Sequence, residues 1–145
     1  MKPARSLKLS VQYACTALPT RSQLRRWMKV ALQRDALITV RFVAEAEGRE
    51  LNKNYRGKDY ATNVLTFVYD DTAGDVVICV PVVEREALEQ SKPLLAHYAH
   101  LVIHAALHLQ GYDHENDADA LQMEALETAL MLELHYPDPY QTLNG

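Results

Sequence analysis

The most chemically suggestive stretch of the chain is His104-Ala-Ala-Leu-His108-Leu-Gln-Gly111-Tyr-Asp-His114, an HxxxHxxGxxH pattern. Residues four apart on a helix share one face, so His104 and His108 can both aim a ring nitrogen at one ion at roughly 2.0–2.1 Å. Gly111 can adopt a positive φ, end the helix and turn the chain back, which lets His114 approach the same ion from a third direction. Three neutral imidazoles leave a tetrahedral metal one open position, the arrangement of a catalytic site that hydrolyses a bond. One Zn2+ per chain is the expected cofactor, although imidazole also suits other transition metals. His97 and His100 lie one to two turns earlier on the same run. They read either as core histidines or as residues that line or support the site, with Asp113 as a further supporting candidate.

The same spacing occurs in the metzincin peptidases, whose HExxHxxGxxH places a glutamate general base after the first histidine. Here that position is Ala105, so proteolysis is not expected. A second segment, Asn52 to Phe67, carries Arg56-Gly57-Lys58 at a helix-to-strand turn. Alone it reads as an ordinary charged turn. Beside a metal site without its own base, a guanidinium that can bind a phosphate oxygen suggests phosphodiester chemistry, with Arg56 stabilising developing charge and Lys58 positioning the backbone.

The elements that must position these residues follow from periodicity and turn signals. Leu7 to Ala14 alternates as a half-buried strand, Thr20 is a helix N-cap, and a helix extends to about Gln33. Leu37 to Ala44 reads as a strand and Glu45 to Tyr55 as a helix. Val64 to Tyr69 and Asp75 to Val80 read as a hairpin, closed by Pro81. Glu84 to Ser91 is a predicted helix. Leu94 to Leu109 follows Pro93 without a single Asp, Glu, Lys or Arg, which marks a helix buried on nearly all sides yet too short for a bilayer of roughly 30 Å. Asp117 to His135 reads as an amphipathic helix with an aspartate near its start and a histidine near its end.

The 145 residues, 48% of them hydrophobic, are enough for one globular domain spanning residues 1–145. The formal net charge of −4 conceals an asymmetry: residues 1–34 hold eight basic and no acidic side chains, whereas residues 115–145 hold seven acidic and no Lys or Arg. Arg21, Arg25, Arg26, Lys29 and Arg34 recur at roughly helical spacing and read as either a weak RNA-facing surface or a solvated helix face. Cys15 and Cys79 form neither a disulfide framework nor a thiolate zinc motif and read as buried free cysteines. The N-terminal residues do not read as a secretory signal, and no membrane partner is indicated, so the cytoplasm is the expected compartment.

Three blocks, LNKNYRGKDYATNVLTF from Leu51 to Phe67, GDVVIC from Gly74 to Cys79 and HAALHLQGYDH from His104 to His114, resemble the YbeY family of bacterial rRNA maturation factors. These are metal-dependent endoribonucleases. The resemblance implies an α+β fold with a small mixed four-stranded sheet packed with helices, a central buried helix carrying three zinc-ligating histidines, and Arg56 lining a catalytic cleft. It also implies single-strand cleavage in small-subunit rRNA maturation and ribosome quality control, with rRNA, the small ribosomal subunit and its assembly proteins as partners. The alternative is a non-catalytic ribosome-assembly factor whose metal is structural, its fourth position filled by Asp113, Glu115 or Cys79. Two departures bear on catalysis. Ala105 stands where the family usually has the glycine of HGxLH and is expected to crowd the space that glycine leaves. Asn63 and Thr66 stand in the block usually written TDVLSF, and Asn63 loses a charge that could orient a ligand or pair with Arg56.

Overall fold

The structure is a computed structural model that describes residues 5–113 and 115–141. It is α+β, with the element order β1 (Leu7–Tyr13), α1 (Arg21–Ala31), β2 (Ala36–Val43), α2 (Glu45–Arg56), β3 (Val64–Val68), β4 (Ala73–Cys79), α3 (Val80–Glu89), α4 (Leu94–Leu109) and α5 (Asp117–Glu133). The four strands form one mixed sheet in the order β1-β2-β4-β3. β1, β2 and β4 are mutually parallel, with Leu9 opposite Ile38 and Ile38 opposite Gly74. β3 runs antiparallel to β4, Thr66 facing Val76, so the expected hairpin is present. β3 is an edge strand.

Each element has a local cause. α1 starts in a capping box: Gln23 N donates to Thr20 Oγ1 at 3.1 Å and Thr20 N to Gln23 Oε1 at 2.8 Å. Its Leu24, Trp27, Met28 and Ala31 then recur on one face, which is buried. α4 is the hub. Eleven of its residues are buried, from Ala96 to Leu109, and it packs against α1, β3, β4, α3 and α5. The main core lies between this helix, α1 and one face of the sheet. A smaller core of Val43, Leu65, Val77, Cys79 and Val82, with Leu51 and Phe67 against it, fills the other face beneath α2. Successive β3 residues therefore serve different layers, Val64 the α4 side and Leu65 and Phe67 the α2 side.

Two expectations need correction. The helix predicted from Glu84 begins at Val80, directly after β4, because Pro81 falls in the first turn, where a missing N–H costs no hydrogen bond. The last helix ends at Glu133 with no basic residue in its final turn, and His135 lies beyond it with φ at 69°. Its amphipathicity is also weaker than expected. Leu121 and Leu132 face solvent at 69% and 56% exposure, while the buried stripe is Met123, Glu127, Leu130 and Met131. No described helix is long and apolar enough to cross a membrane.

Candidate active site

α2 delivers Arg56 at its C-terminal end. Gly57 stops the helix in the left-handed region, at φ 70°, a conformation that a side chain would strain. The chain from Gly57 to Asn63 is then tied down at several points. Asn52, fully buried on α2, donates from Nδ2 to the Tyr60 carbonyl at 2.7 Å. Arg49 grips Asp59 through two hydrogen bonds of 2.8 and 3.1 Å. Asn63 Oδ1 accepts from Val64 N at 2.6 Å, and the Asn63 carbonyl accepts from Cys79 N at 2.9 Å. The loop is thereby held against the start of β3.

Arg56, Thr62, Asn63, Val64, Leu65 and Thr66 form one wall of a cleft of about 350 Å3, and His104 and His108 of α4 form the other. The two imidazoles are parallel within 5°, their ring centroids 6.5 Å apart, which the shared helix face of a four-residue spacing allows. Lys58 is exposed and does not line this cleft. Gly111 has φ at 98° and turns the chain after α4, as expected. His114 lies outside the described residues. Asp113 is half-buried in the turn but is not part of the cleft wall, and Glu115 is exposed. Cys79 is buried in the smaller core, its thiol near the Ala44 carbonyl at 3.9 Å, so it is not brought to the histidines.

The side chain that sequence reasoning missed is Glu127 of α5. It is 1% exposed and accepts hydrogen bonds from His100 Nε2 at 2.5 Å, His104 Nδ1 at 2.9 Å and the Tyr140 hydroxyl at 2.5 Å. Burial alone pushes its carboxyl up, but the bonds from His100, His104 and Tyr140 outweigh burial and hold it at about 2. An ionised carboxylate only accepts, so the rings facing it must donate. Nδ1 of His104 is thus the donor to Glu127, and Nε2 is the ring nitrogen not engaged by that carboxylate. The place of Glu127 in the chain marks burial alone: it falls four residues after Met123 and four before Met131, within the buried stripe of α5, and nothing local names its partners.

His97 and His100 are not at the cleft. His97, also buried, meets Glu86 Oε1 through Nε2 at 2.9 Å, and Asn63 Nδ2 donates to the same carboxylate at 3.0 and 3.3 Å. Burial raises the Glu86 carboxyl, and the bonds from His97 and Asn63 bring it below its usual value. The partner of Asn63 is therefore Glu86 rather than Arg56, which gives the amide a positive use: an aspartate there would oppose a carboxylate. The crowding expected of Ala105 does not occur at the cleft, because Ala105 is wholly buried in the main core. The basic residues of α1 lie elsewhere. That helix packs on α4 and β1, the strand at the far edge from β3; Arg25 Nη1 donates to the Leu7 carbonyl at 2.8 Å, while Arg26 and Lys29 are exposed.

Among the described residues no group of three His, Cys, Asp or Glu side chains is arranged to hold a metal ion. The pair that is described nevertheless fits one in its chemistry. Two parallel imidazoles face one cleft, and a buried carboxylate fixes the tautomer of the first, as outer partners of metal-binding histidines do.

The comparisons with known proteins agree with this architecture. A family model described as endoribonuclease YbeY matches residues 11–135. A protein of Aromatoleum aromaticum named endoribonuclease YbeY is 59% identical, with 92% of this chain and 92% of that protein covered. One of the same name from Cupriavidus necator is 60% identical over 86% of this chain, which spans 65% of that longer relative. The solution structure of TM1509 from Thermotoga maritima is similar with a TM-score of 0.58 at 27% identity, covering 93% of this chain and 99% of that one. On the residues matched and the identity across nearly its whole length, the chain belongs to the endoribonuclease YbeY family.

Proposed function

We propose that this chain is a single-domain, metal-dependent endoribonuclease that cleaves single-stranded RNA in the maturation of small-subunit rRNA and in ribosome quality control. Its partners would be rRNA, the small ribosomal subunit and its assembly proteins, and its compartment the cytoplasm. The observation that carries the reading is the meeting of Arg56 with His104 and His108 across one cleft, on a chain whose relatives bear the name endoribonuclease. His104, His108 and His114 would hold Zn2+, or a similar transition metal. When bound, the ion supplies Lewis acidity toward a phosphoryl oxygen and lowers the pKa of water.

The rest is the work of the chain's own groups. Arg56 presents a planar, permanently charged fork on the opposite wall, suited to the equatorial oxygens of a phosphodiester as charge accumulates on them. The ties through Asn52, Arg49 and Asn63 hold that wall in place before substrate arrives. Glu127 keeps His104 oriented with Nδ1 inward. Lys58, one turn residue beyond Gly57, would meet the RNA backbone outside the cleft.

Arg56→Ala and His108→Ala separate these roles. Arg56→Ala should lower cleavage of an rRNA fragment by roughly two to three orders of magnitude at unchanged metal content and melting temperature. His108→Ala should lose metal and cleavage together. If Arg56→Ala cleaves like the parent, or if the parent does not exceed a chelated control, the enzymatic reading fails and an assembly factor with a structural metal replaces it.

A further inference from the structure

Beyond the cleft, the free edge of β3 and the last turn of α2 carry an unusual amount of exposed aromatic surface. Tyr55 and Tyr69 are each 67% exposed and Tyr60 is 57% exposed. Tyr55 stands edge-on to Phe67, ring centroids 4.6 Å apart. Tyr55 and Phe67 are the immediate chain neighbours of Arg56 and Thr66, two residues of the cleft wall, so the aromatic patch begins where the cleft ends. Because β3 alternates, Thr66 faces the histidines while Phe67 faces α2, and the patch lies around the edge of the sheet from the candidate metal ligands.

Cations gather on the Tyr55 side of the patch, whereas the exposed acids Asp70 and Asp71 follow Tyr69. Lys53, Arg56 and Lys58 are all exposed and surround Tyr55 along the chain. Among the described residues the Lys and Arg ion pairs are Arg41 with Glu47, Arg49 with Asp59 and Arg85 with Glu45; none takes these three cations. Asp59, the acid within the same turn, makes its hydrogen bonds to Arg49, although its charge also acts on Lys53, and Asp75 accepts from the Tyr69 hydroxyl. Exposed rings beside cations that make no direct ion pair fit a polymer that offers π-faces and negative charge together. A single-stranded nucleic acid does so, and a duplex, whose bases are stacked inside, does not.

We propose that Tyr55, backed by Phe67 and flanked by Lys53, Arg56 and Lys58, is a base-stacking platform for the single-stranded RNA segment leaving the cleft. This deepens the endoribonuclease reading and rests on it. Tyr55 takes the face of one unpaired base, and the three cations follow the phosphates on either side. Sequence preference at this position should be slight, because every base has a face to stack.

The test is binding of a ten-nucleotide, 2'-O-methylated single strand, which resists cleavage, followed by fluorescence anisotropy at fixed salt. Tyr55→Leu should weaken binding about tenfold, the loss expected when one base loses its stacking partner, whereas Tyr55→Phe should bind like the parent. A set of strands each lacking one base at a successive position should include one that binds the parent about tenfold more weakly but binds Tyr55→Leu no worse than the intact strand. Circular dichroism and melting of both variants establish that they fold. Equal binding by Tyr55→Leu and the parent overturns the platform, and if the parent's RNA cleavage still depends on Arg56, the enzymatic reading survives that result. If the parent neither binds nor cleaves RNA, both fall.

Discussion

The two halves of α4 carry two histidines each and treat them differently. In the N-terminal half, His97 and His100 are 4% and 13% exposed at the side chain, and each is closed off by a carboxylate from a neighbouring helix, Glu86 of α3 or Glu127 of α5. In the C-terminal half, His104 is 28% exposed and, with His108, opens on the cleft opposite Arg56. The residue type is the same and the spacing differs by a single residue, three between His97 and His100 and four between His104 and His108, so the difference comes mainly from what packs alongside. A carboxylate that accepts from a histidine inside the core holds that ring as a structural donor; one that accepts from Nδ1 of a ring at a cleft fixes how that ring is presented to the cleft. Glu127 does both, through His100 and His104.

The largest expected effect comes from removing that shared carboxylate. Glu127→Leu leaves His100, His104 and Tyr140 without their acceptor and should cost about 3 kcal/mol, seen as a fall of roughly 10 °C in melting temperature. It should also weaken zinc binding by about 10- to 100-fold. An unchanged melting temperature would make Glu127 a bystander and erase the contrast between the two halves.

A smaller effect tests the other carboxylate. Asn63→Asp sets a second acid against Glu86, and the like charge raises the new carboxyl above its ordinary value. A group raised in the folded state favours folding while protonated, so the deficit should be present at pH 7 and shrink as pH falls toward 4. Thermal melts should show the variant a few degrees below the parent at pH 7, about 1 kcal/mol, and nearly level with it at pH 4. A deficit independent of pH would mean that Asn63 acts through shape alone.

How much of this could be read from the chain varies with the range of the interaction. His104 and His108 were legible because four-residue spacing on an apolar helix is a local fact, and Arg56 because a glycine stop fixes the end of α2. Glu127 was not: it is 23 residues from His104 along the chain, and its partners come from α4 and from Tyr140 beyond the end of its own helix. The Glu86 to Asn63 bond, which explains an amide where a carboxylate was expected, likewise joins residues 23 positions apart. The start of α3 was obscured because Val80-Pro81-Val82-Val83 has a strand's composition, and only its packing makes it a helix. Arg25 reads in the sequence as one of a row of cations facing either RNA or solvent, yet its guanidinium bonds a β1 carbonyl 18 residues away.

If only the C-terminal half of α4 serves a metal centre, zinc content after dialysis against a weak competing chelator should separate the two halves. The parent should retain about one equivalent. His97→Gln, whose amide can still donate to Glu86, should retain as much, while His104→Ala and His108→Ala should each retain almost none. Zinc held equally by all four proteins, or by none of them, would refute this division of α4.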